Sequence, residues 1–242
     1  MYPIICKIGQ VTVYSYGLML VIAFAAASGL ACRYAKLKGI NPDIVFNLLF
    51  VGFIFGIIGA RAFYVFENLG YYKNNPLEII MLNKGGLSWF GGLILGIGAG
   101  LAYLKKKKLA ILKMLDLIIP FVALAQAIGR IGCLLNGCCF GKNAGFGIYF
   151  HVHNAVLIPT QLYSSLILVL IFIILRFIQD RPHKQGQVFF TYLLLYSIKR
   201  FSIEFLRADN PVIFLGLTLF QLMSIFIFCV AVAKLILIKS DN

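Results

Sequence analysis

The sequence predicts an all-α fold, a polytopic integral membrane protein with about seven transmembrane helices. Of its 242 residues, 61% are hydrophobic and only 12% are charged, too few polar groups to cover a soluble domain. Apolar runs long enough to cross a hydrocarbon core of about 30 Å recur along the whole chain. Runs such as 162–177 are apolar on every face, whereas the strands of a membrane barrel alternate. The spans are therefore predicted as helices.

The apolar runs define seven predicted spans, because each supplies roughly the 20 helical residues that a crossing needs. In chain order they cover residues 14–32, 44–66, 86–104, 115–135, 157–176, 187–206 and 212–238. We find no separate soluble domain, internal repeat or low-complexity tract. A single domain over residues 1–242 is expected.

Basic residues lie mainly in alternate loops, which predicts the orientation of the chain. They lie at the ends of the first, third, fifth and seventh spans or directly after them: Arg33, Lys36, Lys38, Lys105–Lys108, Lys113, Arg176, Arg181, Lys184, Lys234 and Lys239. By the positive-inside rule the N-terminus lies outside and the C-terminus is cytoplasmic. The net charge of +14 is then explained by topology and by attraction to anionic membrane lipids, and no nucleic acid partner is expected.

Ionisable residues inside spans mark candidate functional sites, because a charge in the bilayer is costly unless it is paired or hydrated. Arg61 lies near the outer end of the second span, and Arg130 lies about 21 Å along the fourth, at 1.5 Å per residue. Tyr16, near the outer end of the first span, reaches the same level. Gly91 and Gly92, at the start of the third, do so too. All of these positions are predicted in the outer half of the bilayer.

The sixth span carries a charged face. Its members are four, four and three residues apart and project from one side of a helix: Tyr196, Arg200, Glu204 and Arg207. Glu204 can pair with either arginine, and an internal salt bridge alone would explain this pair. With Arg61 and Arg130, however, the positive charges of the arginines outnumber the single carboxylate. This excess of positive charge favours the binding of an anion. A phospholipid phosphate at the outer headgroup level fits forked guanidinium donors.

The fourth span ends in GRIGCLLNGCCFG, residues 129–141. Its four glycines, ending at Gly141, together with Asn136, indicate a helix that frays into a tight loop with backbone amides free to face a ligand. Loop flexibility alone would also explain the glycines. The stretch GGLSWFGG, residues 85–92, repeats this theme at the third span.

Three of the six cysteines cluster in this loop. Cys133, Cys138 and Cys139 form, with His151 and His153, the pattern C-x4-C-C-x11-H-x-H, which has the ligand types for zinc or copper. The spacing matches no common zinc finger, and adjacent cysteines rarely chelate one metal together. We therefore predict no metal and no cofactor. A disulfide and packing of small side chains at a helix end stay open as alternatives.

The chain resembles bacterial phosphatidylglycerol:prolipoprotein diacylglyceryl transferases over nearly its full length. The matching stretches are YGLML from Tyr16, GARAFYVFEN around Arg61, GGLSWFGGLILG, LDLIIPF before GRIGCLLNGCCFG, PTQLY at 159–163 and YSIKRFSIEFLRADN at 196–210. This resemblance implies seven spans with an outside N-terminus, in the bacterial inner membrane, and an active site toward the outer leaflet.

The resemblance also implies a reaction and its participants. Such enzymes move the diacylglyceryl group of phosphatidylglycerol onto the lipobox cysteine of a lipoprotein precursor and release glycerol phosphate. The implied partners are phosphatidylglycerol, prolipoprotein signal peptides and membrane lipids. Arg130 and Arg200 would hold the phosphate and stabilise the leaving group, while Glu204 and Arg207 would orient them. Other motif positions are held by Tyr16, Asn136, Gly141 and Tyr196.

Departures from the family pattern concern proton transfer. Phe90 and Ile158 stand where related enzymes have histidines, and Cys133 and Cys138 replace an asparagine and a glutamate. Either a tyrosine, Glu204 or a cysteine takes the thiol proton, or the histidine is not essential, or the activity is altered. The alternative function is a non-catalytic or cysteine- and metal-dependent lipid-binding paralogue. A transporter is disfavoured because repeats are absent.

Overall fold

The computed structural model describes residues 2–8, 11–81 and 85–240. It is mostly helical, as predicted. The helices are α1 Ser15–Leu37, α2 Pro42–Glu67, α3 Leu69–Asn74, α4 Trp89–Lys106, α5 Ile111–Asn136, α6 Thr160–Gln179, α7 Gln187–Glu204 and α8 Leu219–Ser240, with a 3-10 helix at Pro76–Ile80. The strands are β1 Ile4–Ile8, β2 Val11–Tyr14, β3 Asn143–Phe150, β4 Ala155–Leu157, β5 Val212–Phe214 and β6 Leu217–Thr218.

Each of the seven predicted spans contains one long helix. Five of them, α1, α2, α5, α6 and α8, are long and apolar enough to cross a membrane. The other two, α4 and α7, have 18 residues each, about 27 Å at 1.5 Å per residue. The described helices thus fit a polytopic membrane protein.

The last predicted span begins too early. Residues 212–218 were included in it, but they form the antiparallel pair β5–β6, and the helix starts at Leu219. Leu215 and Gly216 have φ values of 49° and 75°, which reverse the chain between these strands. Two further antiparallel pairs, β1–β2 and β3–β4, also lie outside the helices, and the all-α prediction did not include them.

The chain divides into two compact units, and the single domain over residues 1–242 stays a prediction. The first unit comprises Met1–Ala27 and Leu115–Asn242. Its core lies among α5, α6 and α7, where buried apolar side chains pack together: Ile119, Ala123, Ala127, Leu168, Ile171, Leu175, Val188 and Tyr192. Asp116 accepts hydrogen bonds from the backbone N–H groups of Gly186 (2.5 Å) and Phe189 (2.8 Å) and so caps the start of α7.

The second unit is Ser28–Met114, and its centre is the close packing of α2 against α4. A Cβ on Gly91 would lie 2.2 Å from the carbonyl oxygen of Gly59, and a Cβ on Gly92 would lie 3.2 Å from that of Gly56. Small residues let helix backbones approach closely in lipid. This packing accounts for Gly91 and Gly92 structurally, and their contact with substrate stays a prediction.

Candidate active site

Of the charged face predicted for the sixth span, Tyr196, Arg200 and Glu204 lie on α7, whereas Arg207 follows the end of that helix. Arg200 Nη2 lies 3.0 Å from Glu204 Oε2, and Arg207 Nε lies 4.0 Å from the same oxygen. The other carboxylate oxygen, Oε1, accepts hydrogen bonds from Asn210 Nδ2 (2.6 Å) and Thr218 Oγ1 (2.9 Å). The Glu204 side chain is only 1% exposed. It therefore holds Arg200 in place and has little freedom to act as a base.

Arg207 has a partner that the sequence did not suggest. Its Nε donates to Asp209 Oδ1 at 2.8 Å, and its Nη2 donates to Asp209 Oδ2 at 2.5 Å, a forked pair. Burial opposes the charge of Arg207, but the hydrogen bond and the charge of Asp209 raise the pKa of Arg207 above its ordinary value. Its charge is thus largely matched before any substrate arrives.

Arg130 has no such partner. Within residues 2–8, 11–81 and 85–240, the guanidinium makes no hydrogen bond and has no carboxylate oxygen within 4.0 Å. The side chain is half-buried near the end of α5. An unpaired guanidinium in this setting is costly and favours an anionic ligand.

A second ionisable side chain near Arg130, Lys199, was missed from the sequence. The residue is 3% exposed, and its Nζ lies 4.4 Å from the centre of the Tyr196 ring. Arg130, Arg200 and Arg207 all act on its charge. Across the described part of the chain, no carboxylate lies within 4.0 Å of its ammonium. The same rule that marked Arg130, an ionisable side chain inside an apolar span, could have found it.

These groups give the site an excess of positive charge. In the described part of the chain, three guanidinium groups, those of Arg130, Arg200 and Arg207, face two carboxylates, those of Glu204 and Asp209, and Lys199 lies among them. The Arg200 guanidinium also stacks 4.2 Å from the centre of the Phe220 ring, which fixes its plane. The arrangement can bind a phosphate monoanion or dianion.

The three clustered cysteines lie beside the arginines. The sulfur atoms of Cys133, Cys138 and Cys139 are all within 4.8 Å of one another, and none of the three forms a disulfide. Hydrogen bonds from the thiols of Cys133 and Cys138 lower the pKa of Cys139 against the effect of burial, and the charges of Arg130 and Arg207 act in the same direction. The thiols and the arginines belong to one site.

The cysteine loop, residues 137–142, is fixed by the start of α6. Thr160 Oγ1 donates to the carbonyl oxygen of Cys139 and Gln161 Nε2 to that of Cys138, both at 2.6 Å. The ring of His153 contacts the Gly137 carbonyl oxygen through Nε2 at 2.9 Å. The contacts of Thr160 and Gln161 thus join the PTQLY motif to the glycine-rich motif.

Gly141 joins this loop to the end of α7. Its N–H donates to the carbonyl of Ile158 at 2.9 Å, and the next N–H, of Lys142, donates to that of Leu206 at 2.8 Å. A Cβ on Gly141 would lie 2.6 Å from the Leu206 oxygen. No side chain fits there, so Gly141 positions the loop against the arginines.

Tyr16 and Asn136 also reach this site. Tyr16, in the first turn of α1, is half-buried and lies within electrostatic range of Arg130 and the three thiols. Its ring packs against Gly132 of α5, where a Cβ would come within 3.4 Å. Asn136, the last residue of α5, lies beside the Cys138 thiol. Both predicted positions are thus in the first unit with Arg130.

Arg61 belongs to the second unit and is occupied there. Its guanidinium donates to backbone carbonyl oxygens of the following loop, those of Glu78, Ile79, Met81, Gly85 and Gly86. The side chain also lies over the rings of Tyr64 and Tyr72, and the residue is 6% exposed. These contacts make Arg61 an anchor for this loop, and its binding of phosphate stays a prediction.

Comparison with known proteins gives a consistent result. A family model described as prolipoprotein diacylglyceryl transferase matches residues 3–237. The chain is 38% identical to the phosphatidylglycerol–prolipoprotein diacylglyceryl transferase of Clostridium tetani over 216 residues, 86% of each chain. It is 41% identical to the enzyme of the same name from Clostridioides difficile over 197 residues, covering 81% of this chain and 79% of that one. Identity to the Lactiplantibacillus plantarum enzyme is 31% over 257 residues, 99% of this chain and 90% of that one.

Proposed function

Since the chain belongs to the prolipoprotein diacylglyceryl transferase family, we propose that it transfers the diacylglyceryl group of phosphatidylglycerol to the lipobox cysteine thiol of lipoprotein precursors. The reaction forms a thioether and releases glycerol phosphate. One observation carries this proposal for the site: the half-buried Arg130, with no carboxylate within 4.0 Å among the described residues, lies within electrostatic range of Arg200, the partner of Glu204. The non-catalytic, cysteine- or metal-dependent lipid-binding paralogue is not favoured, because the relatives named above are transferases.

In this proposal Arg130 and Arg200 bind the phosphate and stabilise the charge that develops on it as the carbon–oxygen bond breaks. Glu204 keeps Arg200 in the required rotamer, and Arg207 adds positive charge. Tyr16 and Tyr196 border the phosphate site, while Asn136 and Gly141 set the loop beside it. Arg61, Gly91 and Gly92 are also proposed to bind substrate.

We further propose seven membrane spans in the bacterial inner membrane, with the N-terminus outside and the C-terminus in the cytoplasm. Basic residues after α1, α4, α6 and within the end of α8 support this orientation. It directs Arg130 and Arg200 toward the outer leaflet, where phosphatidylglycerol, membrane lipids and the signal peptides of precursors meet.

The test is genetic. A cell depleted of its own transferase receives this chain, and lipoprotein maturation is followed by the mobility and labelling of a lipoprotein. We expect the wild type to restore maturation, and Arg130→Ala or Arg200→Ala to abolish it, because losing one donor to a developing charge costs about 10²- to 10³-fold in rate.

Arg181→Ala is the matched control. Arg181 is exposed after the end of α6 and stacks on Phe177, so its loss should leave maturation unchanged. Membrane extracts probed with an epitope tag show whether each variant inserts. Normal maturation with Arg130→Ala or Arg200→Ala would refute the proposal.

A further inference from the structure

Three sulfur atoms, one from the end of α5 and two from the cysteine loop, meet in an arrangement that the sequence pattern did not favour. The Sγ atoms of Cys133, Cys138 and Cys139 lie within 4.8 Å of one another. Three thiolates bound to one tetrahedral Zn²⁺, with Zn–S bonds of about 2.3 Å, would be about 3.8 Å apart. Side-chain shifts of roughly an ångström or less would therefore close a three-sulfur site.

Adjacent cysteines rarely bind one ion, because neighbouring side chains normally point apart. Here Cys139 has φ 64°, and Gly137, two residues earlier, has φ 76°. These left-handed residues turn the backbone so that the side chains of Cys138 and Cys139 converge. A cysteine at positive φ is strained by about 1–3 kcal/mol, a cost that concentrates at ligand sites. The contacts from Thr160 and Gln161 hold the chain in this conformation.

We infer that Cys133, Cys138 and Cys139 bind one Zn²⁺ ion as thiolates and leave its fourth coordination position open to the thiol of the substrate. The role of the open position rests on the proposed function, whereas zinc binding itself does not. Three protein ligands and one open position is the pattern of catalytic zinc sites. In the described part of the chain, no other histidine, cysteine or carboxylate joins these three sulfurs.

The surrounding charge suits this site. Three thiolates and one Zn²⁺ carry a net charge of about −1. Arg130 acts on the thiols of Cys133 and Cys139 and Arg207 on that of Cys139, and their positive charge offsets that excess.

The ion would help to deprotonate the substrate thiol, which the side chain of Phe90 cannot do. A thiol that binds Zn²⁺ does so as thiolate, and the thiolate is the nucleophile. Its sulfur lone pair then forms a bond to the glyceryl carbon, and the bond between that carbon and the phosphate oxygen breaks. The departing phosphate monoester has one more ionisable oxygen than the diester and takes up the thiol proton, so protons and charge balance.

The metal content of the purified protein tests the binding. The chain is isolated in detergent with a phosphine reductant and no chelator, and its metals are quantified by plasma mass spectrometry. We expect about one zinc per chain and roughly tenfold or greater loss in Cys138→Ser. Cys229→Ser is the matched control, because Cys229 is an exposed thiol on α8 outside the cluster, and it should retain the zinc.

Cobalt tests the open position without relying on activity or on any variant. Zinc is stripped from the wild type with a chelator and replaced by Co²⁺, whose sulfur-to-metal absorption reports bound thiolates. A peptide with a lipobox cysteine should strengthen this absorption and shift the tetrahedral d–d bands. The same peptide with serine should leave the spectrum unchanged.

The outcomes separate this inference from the proposed function. A chain that matures lipoproteins yet contains no zinc, or keeps its zinc in Cys138→Ser, overturns the inference and leaves the proposed function intact. Stoichiometric copper instead of zinc also overturns it, because three thiolates complete the coordination of Cu⁺. Zinc binding by a chain that never matures a lipoprotein supports the metal site and overturns the proposed function.

Discussion

Replacing Gly141 by alanine tests whether the cysteine loop must lie against the end of α7. The added Cβ would lie 2.6 Å from the Leu206 oxygen, 2.8 Å from Ile158 Cβ and 2.9 Å from Thr160 Cγ2. The first of these is roughly an ångström inside ordinary contact. The loop cannot retreat easily, because hydrogen bonds from the N–H groups of Gly141 and Lys142 tie it on both sides.

Two costs follow from this clash. Overpacking of a fixed site lowers the free energy of unfolding by about 1–3 kcal/mol. Relief of the clash moves the loop away from Arg130 and Arg207 by close to 1 Å, and a displacement of that size costs about 10²-fold in rate. We therefore expect a folded but slow enzyme.

The assay measures kcat and KM for transfer from phosphatidylglycerol to a fluorescent precursor peptide in detergent, together with the melting temperature. Gly145→Ala is the control, because a Cβ at Gly145 meets nothing within 4 Å. Turnover by Gly141→Ala within about threefold of Gly145→Ala, at an unchanged melting temperature, would refute the positioning role of Gly141.

Three further changes probe other features by melting temperature and kinetics. Glu204→Gln should lower the free energy of unfolding by about 3–5 kcal/mol, since it removes the buried carboxylate that pairs with Arg200; an unchanged melting temperature contradicts this. Lys199→Met should raise the free energy of unfolding by about 1 kcal/mol and increase KM for phosphatidylglycerol, because it removes a buried charge; a lower KM argues against the excess-charge explanation. Gly91→Ala should destabilise the chain by about 1–3 kcal/mol, whereas Gly98→Ala, with open space at its Cβ, should not; equal melting temperatures would exclude close packing as the reason for Gly91.

Helical periodicity predicted part of the candidate site well. The spacing of Arg200, Glu204 and Arg207 predicted them on one face, and both arginines lie near the Glu204 carboxylate, at 3.0 and 4.0 Å, although Arg207 follows the end of α7. Asp209 was missed because it follows the end of α7, where the path of the chain is set by β5 and β6 rather than by a helical repeat. Thr218 was missed for the same reason.

Long apolar segments were predicted more reliably than their ends. The pattern for residues 212–238 is mostly apolar, and Gly216 is the residue that signals the reversal between β5 and β6. Convergence of Cys138 and Cys139 depends on a single positive φ at Cys139, which residue type alone does not indicate. The hydrogen bonds of the Arg61 guanidinium to backbone carbonyl oxygens depend on the path of the chain after α2, and no local sequence pattern predicts that path.

The excess of cations around Arg130 and Lys199 makes the bilayer part of this protein's stability. In the proposed function an anionic lipid is the missing counter-ion, and at 100 times its dissociation constant such a ligand adds about 2.7 kcal/mol to folding. Extraction that strips phosphatidylglycerol would then remove a structural component along with a substrate. The lipid composition of the host membrane thereby sets the folded fraction of the enzyme as well as its rate of turnover.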